Sequence, residues 1–163
     1  KMKKIFTTVI LSFVFLLVGC NMGPEPKTFE GSGITVELTE AFIEKDVIQA
    51  ALYLESTQHI FMGNPEDKAL VVAYGADTLD DYIELVLQVS NKSDSEILHY
   101  EDDDTEFYYA YYENSVSGQD FGYMLICMEG EDNYYTLNFG CRLNKFEGNK
   151  AQFLAWGKTI VVE

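Results

Sequence analysis

The chain has 163 residues, enough for a single domain with a sizeable core even after removal of a leader. It carries 11 Lys/Arg against 27 Asp/Glu, a formal net charge of −16 with its two histidines neutral. So acidic a chain is repelled by nucleic-acid phosphates and anionic head groups, which argues against nucleic acid as a partner and leaves cationic groups and metal ions open.

Lys3 and Lys4 precede Ile5–Val18, a stretch of fourteen residues without a charge. As a helix it reaches about 21 Å, short of the ~30 Å hydrocarbon core. It is too short to span a membrane and fits the apolar region of a secretory leader. The stretch ends Leu17-Val18-Gly19-Cys20. This resembles the lipobox of bacterial lipoproteins, an aliphatic residue and two small or modest ones before an obligatory cysteine. The resemblance implies cleavage before Cys20 and diacylglycerol on its thiol. Two acyl chains, at ~0.8 kcal/mol per buried CH₂, anchor stably where one is marginal. Residues 1–19 are therefore expected to be a lipoprotein signal peptide. The mature chain is expected to sit on the extracytoplasmic face of the cell membrane.

Residues 20–33 read as the lipidated cysteine followed by a short linker, "NMGPEPKTFEGSG", with two prolines and three glycines. A single domain is expected over 34–163. Ile34, Val36 and Leu38 alternate with Thr35, Glu37 and Thr39, the pattern of a half-buried strand. Ala50–Ser56 reads as a second strand. Lys68–Gly75, "KALVVAYG", reads as a third, more fully buried one after a turn at Asn64-Pro65. The stretch "DTLDDYIELVLQVSN" gives the best helix. Asp77 or Thr78 suits its cap, and Asp80, Asp81 and Glu84 suit its positive end. Leu79, Tyr82, Ile83, Val86 and Val89 form its apolar stripe.

An antiparallel meander is expected next, with strands near Ile97–Glu101, Phe107–Glu113, Phe121–Met128 and Tyr134–Arg142. The breaks at "SGQD" and "EGEDN" suit hairpins. Pairing Met128 with Tyr134 sets Cys127 opposite Tyr135 and Cys141 opposite Phe121. Tyr123, Leu125 and Cys127 then share a core face with Tyr135, Leu137, Phe139 and Cys141. The two thiols lie near 20 Å apart on this ladder, beyond the ~7 Å Cα separation a disulfide tolerates, so both are expected free and buried. The tail reads as a helix over about Lys150–Trp156, ended by Gly157, and a strand Thr159–Val162. Phe146, Phe153, Leu154 and Trp156 are its core contacts.

The expected fold class is α+β: a largely antiparallel sheet of about six to seven strands packed with two main helices. This element order, with "ITVELTEAF" near the start and "YYTLNFGCRLNKF…AQFLAWGKTIVV" at the end, resembles small Gram-positive lipoproteins with a PsbP-like fold. The resemblance implies docking and assembly roles. Plant PsbP is an extrinsic photosystem subunit, and a eukaryotic relative of the fold binds a small GTPase. It carries over no catalytic residue and no cofactor ligand.

The residues themselves offer three places for chemistry. Glu101, Asp102, Asp103, Asp104 and Glu106 supply oxygens that suit calcium, yet without the D-x-D-x-D-G spacing of a wrapping loop they read as a solvated turn. Phe107, Tyr109 and Tyr111 fall on one strand face and Tyr108 and Tyr112 on the other. One row is expected to be core and the other free to stack on sugars or a partner. His59 and His99 have Ser56 and Ser95 near them in sequence, but there is no G-x-S-x-G elbow. Phosphate-binding and dinucleotide fingerprints, C-x-x-C and zinc spacing are all absent. No catalytic, cofactor or metal site is therefore assigned, and Cys20 is the one modification site. The expected function is a non-catalytic protein-interaction or assembly module with an envelope protein partner. The alternative is a surface receptor for a small ligand or cation, bound between the sheet and the Leu79–Val89 helix or at Glu101–Glu106.

Overall fold

The computed structural model describes residues 25–39 and 41–163. Among these, the elements in chain order are β1 (Pro26–Gly31), β2 (Ile34–Thr39), β3 (Ile43–Glu44), β4 (Leu52–Glu55), β5 (His59–Asp67), α1 (Lys68–Ala73), α2 (Leu79–Val89), β6 (Ile97–Glu101), β7 (Glu106–Val116), β8 (Gln119–Glu129), β9 (Asn133–Arg142), α3 (Leu143–Gly157) and β10 (Val161–Val162). Seven strands form one antiparallel sheet in the order β3-β4-β5-β9-β8-β7-β6, and β1-β2-β10 form a second, smaller one. The α+β class and the seven-strand sheet agree with the sequence reading.

Four local readings are corrected. Pro26–Gly31 is not linker but strand β1, paired with β2 along its whole length and burying Phe29. Ser32 and Gly33 both take positive φ (55° and 75°), the turn geometry that matches the twist of a two-residue hairpin. Ser117 and Gly118 repeat it between β7 and β8 (52° and 75°). Lys68–Ala73 is not a strand but helix α1. The Asp67 carboxylate accepts from the Leu70 N–H as its cap, and only Val71 is buried. Asn64-Pro65 is not a turn: both residues lie inside β5, facing Thr136 and Tyr135 of β9. Pro65 is tolerated there because β4 pairs with β5 only from Ile60 to Gly63, so the missing N–H falls beyond that ladder. Helix α3 is twice the expected length and starts directly from the end of β9.

The β8–β9 register differs from expectation by one residue. Met128 faces Tyr135, Cys127 faces Thr136 and Gly122 faces Cys141. The Gly130 N–H donates to the Asn133 carbonyl (2.8 Å), leaving only Glu131 and Asp132 at the tip. A one-residue slip exchanges faces. Met124, Ile126 and Met128 therefore join Tyr135, Leu137, Phe139 and Cys141 in one core, with the small sheet, Phe146, Phe153 and Trp156. Leu125, Cys127 and Tyr134 lie on the opposite face, in a second core beneath Leu79, Tyr82, Ile83, Val86 and Leu87 of α2. Val89, expected in that stripe, is 71% exposed. The large sheet is thus covered on both faces. α3 sits so close that a Cβ at Gly122 would overlap the Phe146 ring.

Candidate functional site

The β6–β7 hairpin brings together the acidic run and one histidine. Glu101 pairs directly with Glu106, and His99 pairs with Tyr108 two rungs further along. These four residues therefore share one face. The His99 ring stacks on Tyr108 (centroids 4.5 Å apart, 21° between planes) and its Nε2 lies 3.0 Å from Glu106 Oε1. Asp102 is occupied otherwise. Its carboxylate accepts from the N–H groups of Asp104 (3.0 Å) and Thr105 (2.9 Å) and from the Tyr100 hydroxyl, closing the turn. The Tyr100 hydroxyl holds the Asp102 carboxyl below its ordinary pKa. The sequence reading treated Glu101–Glu106 as one acidic block apart from His99. The two-residue spacing from His99 to Glu101 on a strand was the signal that joins them.

The aromatic strand β7 is packed on both faces. Phe107 is fully buried, and Tyr109 and Tyr111 continue its row edge-on (5.8 and 5.7 Å), ending against Phe146. On the other face, Tyr112 stacks on Tyr123 (5.1 Å, 14°) and its hydroxyl donates to Asn138 Oδ1 (3.0 Å). Burial raises its phenol well above the ordinary tyrosine range. Neither row is an open stacking platform.

His59 is set among rings, with Trp156 at 5.2 Å, Phe153 at 5.8 Å and Phe42 at 6.3 Å. Its Nε2 meets Asn149 Oδ1 at 2.9 Å. Because Asn149 Nδ2 donates to the Lys145 carbonyl, Oδ1 is the acceptor and His59 Nε2 carries the proton. Ser56 Oγ accepts from the backbone N–H groups of His59 (2.9 Å) and Gln58 (3.2 Å), so it stabilises a turn and is not paired with the imidazole as a nucleophile. A crevice of about 370 Å³ opens beside them, lined by Gln58, Asn149, Gln152 and Trp156. The space between the sheet and α2 is filled. Tyr82 stacks on Tyr134 (4.7 Å, 17°) and its hydroxyl lies 2.6 Å from Thr136 Oγ1. Burial pushes the phenol of Tyr82 and the thiols of Cys127 and Cys141 up. Both cysteines are free, as expected, but on opposite faces of the sheet. Cys20 and its lipobox lie outside the described residues.

A twisted antiparallel sheet covered on one face by α3 and a small sheet, and on the other by α2, is a PsbP-like α+β sandwich. Among solved structures, cyanobacterial PsbP from Synechocystis sp. PCC 6803 superposes with a TM-score of 0.59 at 12% identity, over 89% of this chain and 96% of that one. The Ran-binding protein Mog1p of Saccharomyces cerevisiae gives 0.55 at 11% identity, over 86% and 96%. A Bacteroides thetaiotaomicron protein gives 0.54 at 9%, with this chain spanning about half of its length (48%). At such identities the likeness is one of fold. No family model matches the sequence, and no curated protein matches it. Among the described residues no helix is long and apolar enough to cross a membrane.

Proposed function

We propose that this chain is a lipid-anchored lipoprotein of the extracytoplasmic face, held to the cell membrane by diacylglycerol on Cys20, whose domain docks an envelope protein without catalysing a reaction. The observation that carries the reading is Leu17-Val18-Gly19-Cys20 in register behind two lysines and a short apolar stretch. Two further observations support the docking role. The fold is one on which a Ran-binding surface exists in yeast, an argument by analogy of fold. Both thiols of the described domain are also buried, His59 is paired with Asn149, and Ser56 stabilises a turn. Among the described residues strand β6 borders the sheet and pairs only with β7, leaving an edge of the kind that strand addition uses. The acidic surface suits a cationic partner.

Cross-linking in intact cells, with a tag after Glu163, tests both halves of the proposal. One dominant envelope protein is expected, and Cys20→Ser is expected to release the chain from the membrane fraction and weaken the capture. A chain confirmed at the surface that captures no protein overturns the docking role. A Cys20→Ser chain that stays membrane-bound overturns the anchor.

A further inference from the structure

The last rung of the β6–β7 ladder sets Glu101 opposite Glu106. Like charges directly opposed on an antiparallel pair are destabilising. No Lys or Arg forms an ion pair with either carboxylate among the described residues; the one partner is His99, at 3.0 Å from Glu106. One ligand atom from each of His99, Glu101 and Glu106 lies within 4.8 Å of the other two. The three are held in place by the ladder, by the stacking of His99 on Tyr108 and by the Asp102-closed turn.

We propose that His99, Glu101 and Glu106 form a binding site for a borderline divalent cation of the zinc type. A cation placed among them replaces the opposition of two carboxylates by shared coordination. The donor set decides the class. One imidazole nitrogen with two carboxylate oxygens suits zinc and its first-row neighbours, bound at ~2.0–2.2 Å. Calcium and magnesium favour all-oxygen shells, whereas one of the three donors here is an imidazole nitrogen and the Asp102 carboxylate is committed to the turn. All three ligands are exposed, so coordination positions remain for water or for a ligand from a docked partner. The site stands on this geometry alone and is independent of the docking role.

The test is calorimetric titration of the full chain in detergent with Zn²⁺, in excess Mg²⁺ to saturate nonspecific acidic binding. One site per chain is expected, weakened about tenfold or more by His99→Gln or Glu106→Gln, since each removes a ligand. Asp103→Asn/Asp104→Asn is expected to change affinity less than twofold, although it removes two charges from the same turn. Far-UV circular dichroism verifies that these surface variants are folded. Equal affinity in His99→Gln, displacement of Zn²⁺ by Mg²⁺, or an equal loss in the Asp103/Asp104 variant would each show diffuse charge attraction and overturn the site.

Discussion

Tyr82→Phe and Thr136→Val delete the same hydrogen bond from opposite ends, and the structure assigns them unequal costs. Tyr82 of α2 is fully buried against the sheet, and its hydroxyl lies 2.6 Å from Thr136 Oγ1, which donates to Glu66 Oε1 (3.5 Å). Tyr82→Phe leaves Thr136 with Glu66 and partial access to water, so the loss is about 1 kcal/mol, the net worth of one hydrogen bond. Thr136→Val removes the close partner of a buried phenol and leaves it only the more distant Glu66 carboxylate, which costs about 1–3 kcal/mol because its desolvation is poorly compensated. The double variant removes both partners and is expected close to Tyr82→Phe, with a coupling that recovers most of the Thr136→Val loss. Urea unfolding with matched m-values measures all three, and each kcal/mol corresponds to roughly 3–5 °C in Tm. A Tyr82→Phe loss equal to or larger than that of Thr136→Val refutes the reasoning.

Alkaline stability follows from the same burial. Tyr82 and Tyr112 have phenols raised above 10.0, and Cys127 a thiol raised well above 9.0, so the folded chain keeps protons that the unfolded chain releases. Stability is intact below the unfolded values and falls as pH rises through them toward the folded ones. A constant urea midpoint between pH 7 and about 8.5 is expected, then a decline of up to ~1.4 kcal/mol per pH unit for each group; a midpoint constant to pH 11 refutes this. Alkylating reagents should label Cys127 and Cys141 only on unfolding, and oxidation should form no bridge between them, read by mass spectrometry, because the sheet separates them. Phe153→Ala, at a fully buried position against Phe139, Phe146 and Trp156, should cost about 3–5 kcal/mol in the same unfolding assay.

The meander was legible because its strands alternate and its turns are acidic or Gly-bearing, so β6 to β9 lie within a few residues of expectation. Helix α2 was legible from its stripe and its Thr78 cap. Helix α1 was not, because six residues of mixed apolar character fit a buried strand as well as a short helix. The deciding feature is the Asp67 carboxylate on the Leu70 N–H, a contact between neighbours that periodicity does not register. Strand β1 was hidden by Pro26 and the glycines flanking it. The Ser32-Gly33 step that reads as flexible is in fact the hairpin turn, the same dipeptide that turns β7 into β8. The early half of α3 was hidden for another reason: Arg142 precedes it without a side-chain cap, so the sequence carries no start signal. The Phe146–Phe153–Trp156 spacing was its one trace.

The hairpin slip explains why the site was less legible than the fold. Strand existence depends on composition, which survives an error of one residue, whereas a site depends on which side chains share a face, which inverts with it. At β8–β9 that inversion moved Cys127 from the core of Cys141 to the core of α2. At β6–β7 the rows of Phe107, Tyr109 and Tyr111 and of Tyr108 and Tyr112 were separated as the structure has them, but without a cross-strand register nothing tied His99 to either row. The ladder supplies that tie: with Glu101 opposite Glu106, His99 must stand opposite Tyr108 and on the same face as Glu106, within reach of its carboxylate. An acidic turn read alone offers only oxygens and a diffuse charge. The same turn read through its register offers a nitrogen and two oxygens at fixed positions, a donor set with a defined preference among metal ions.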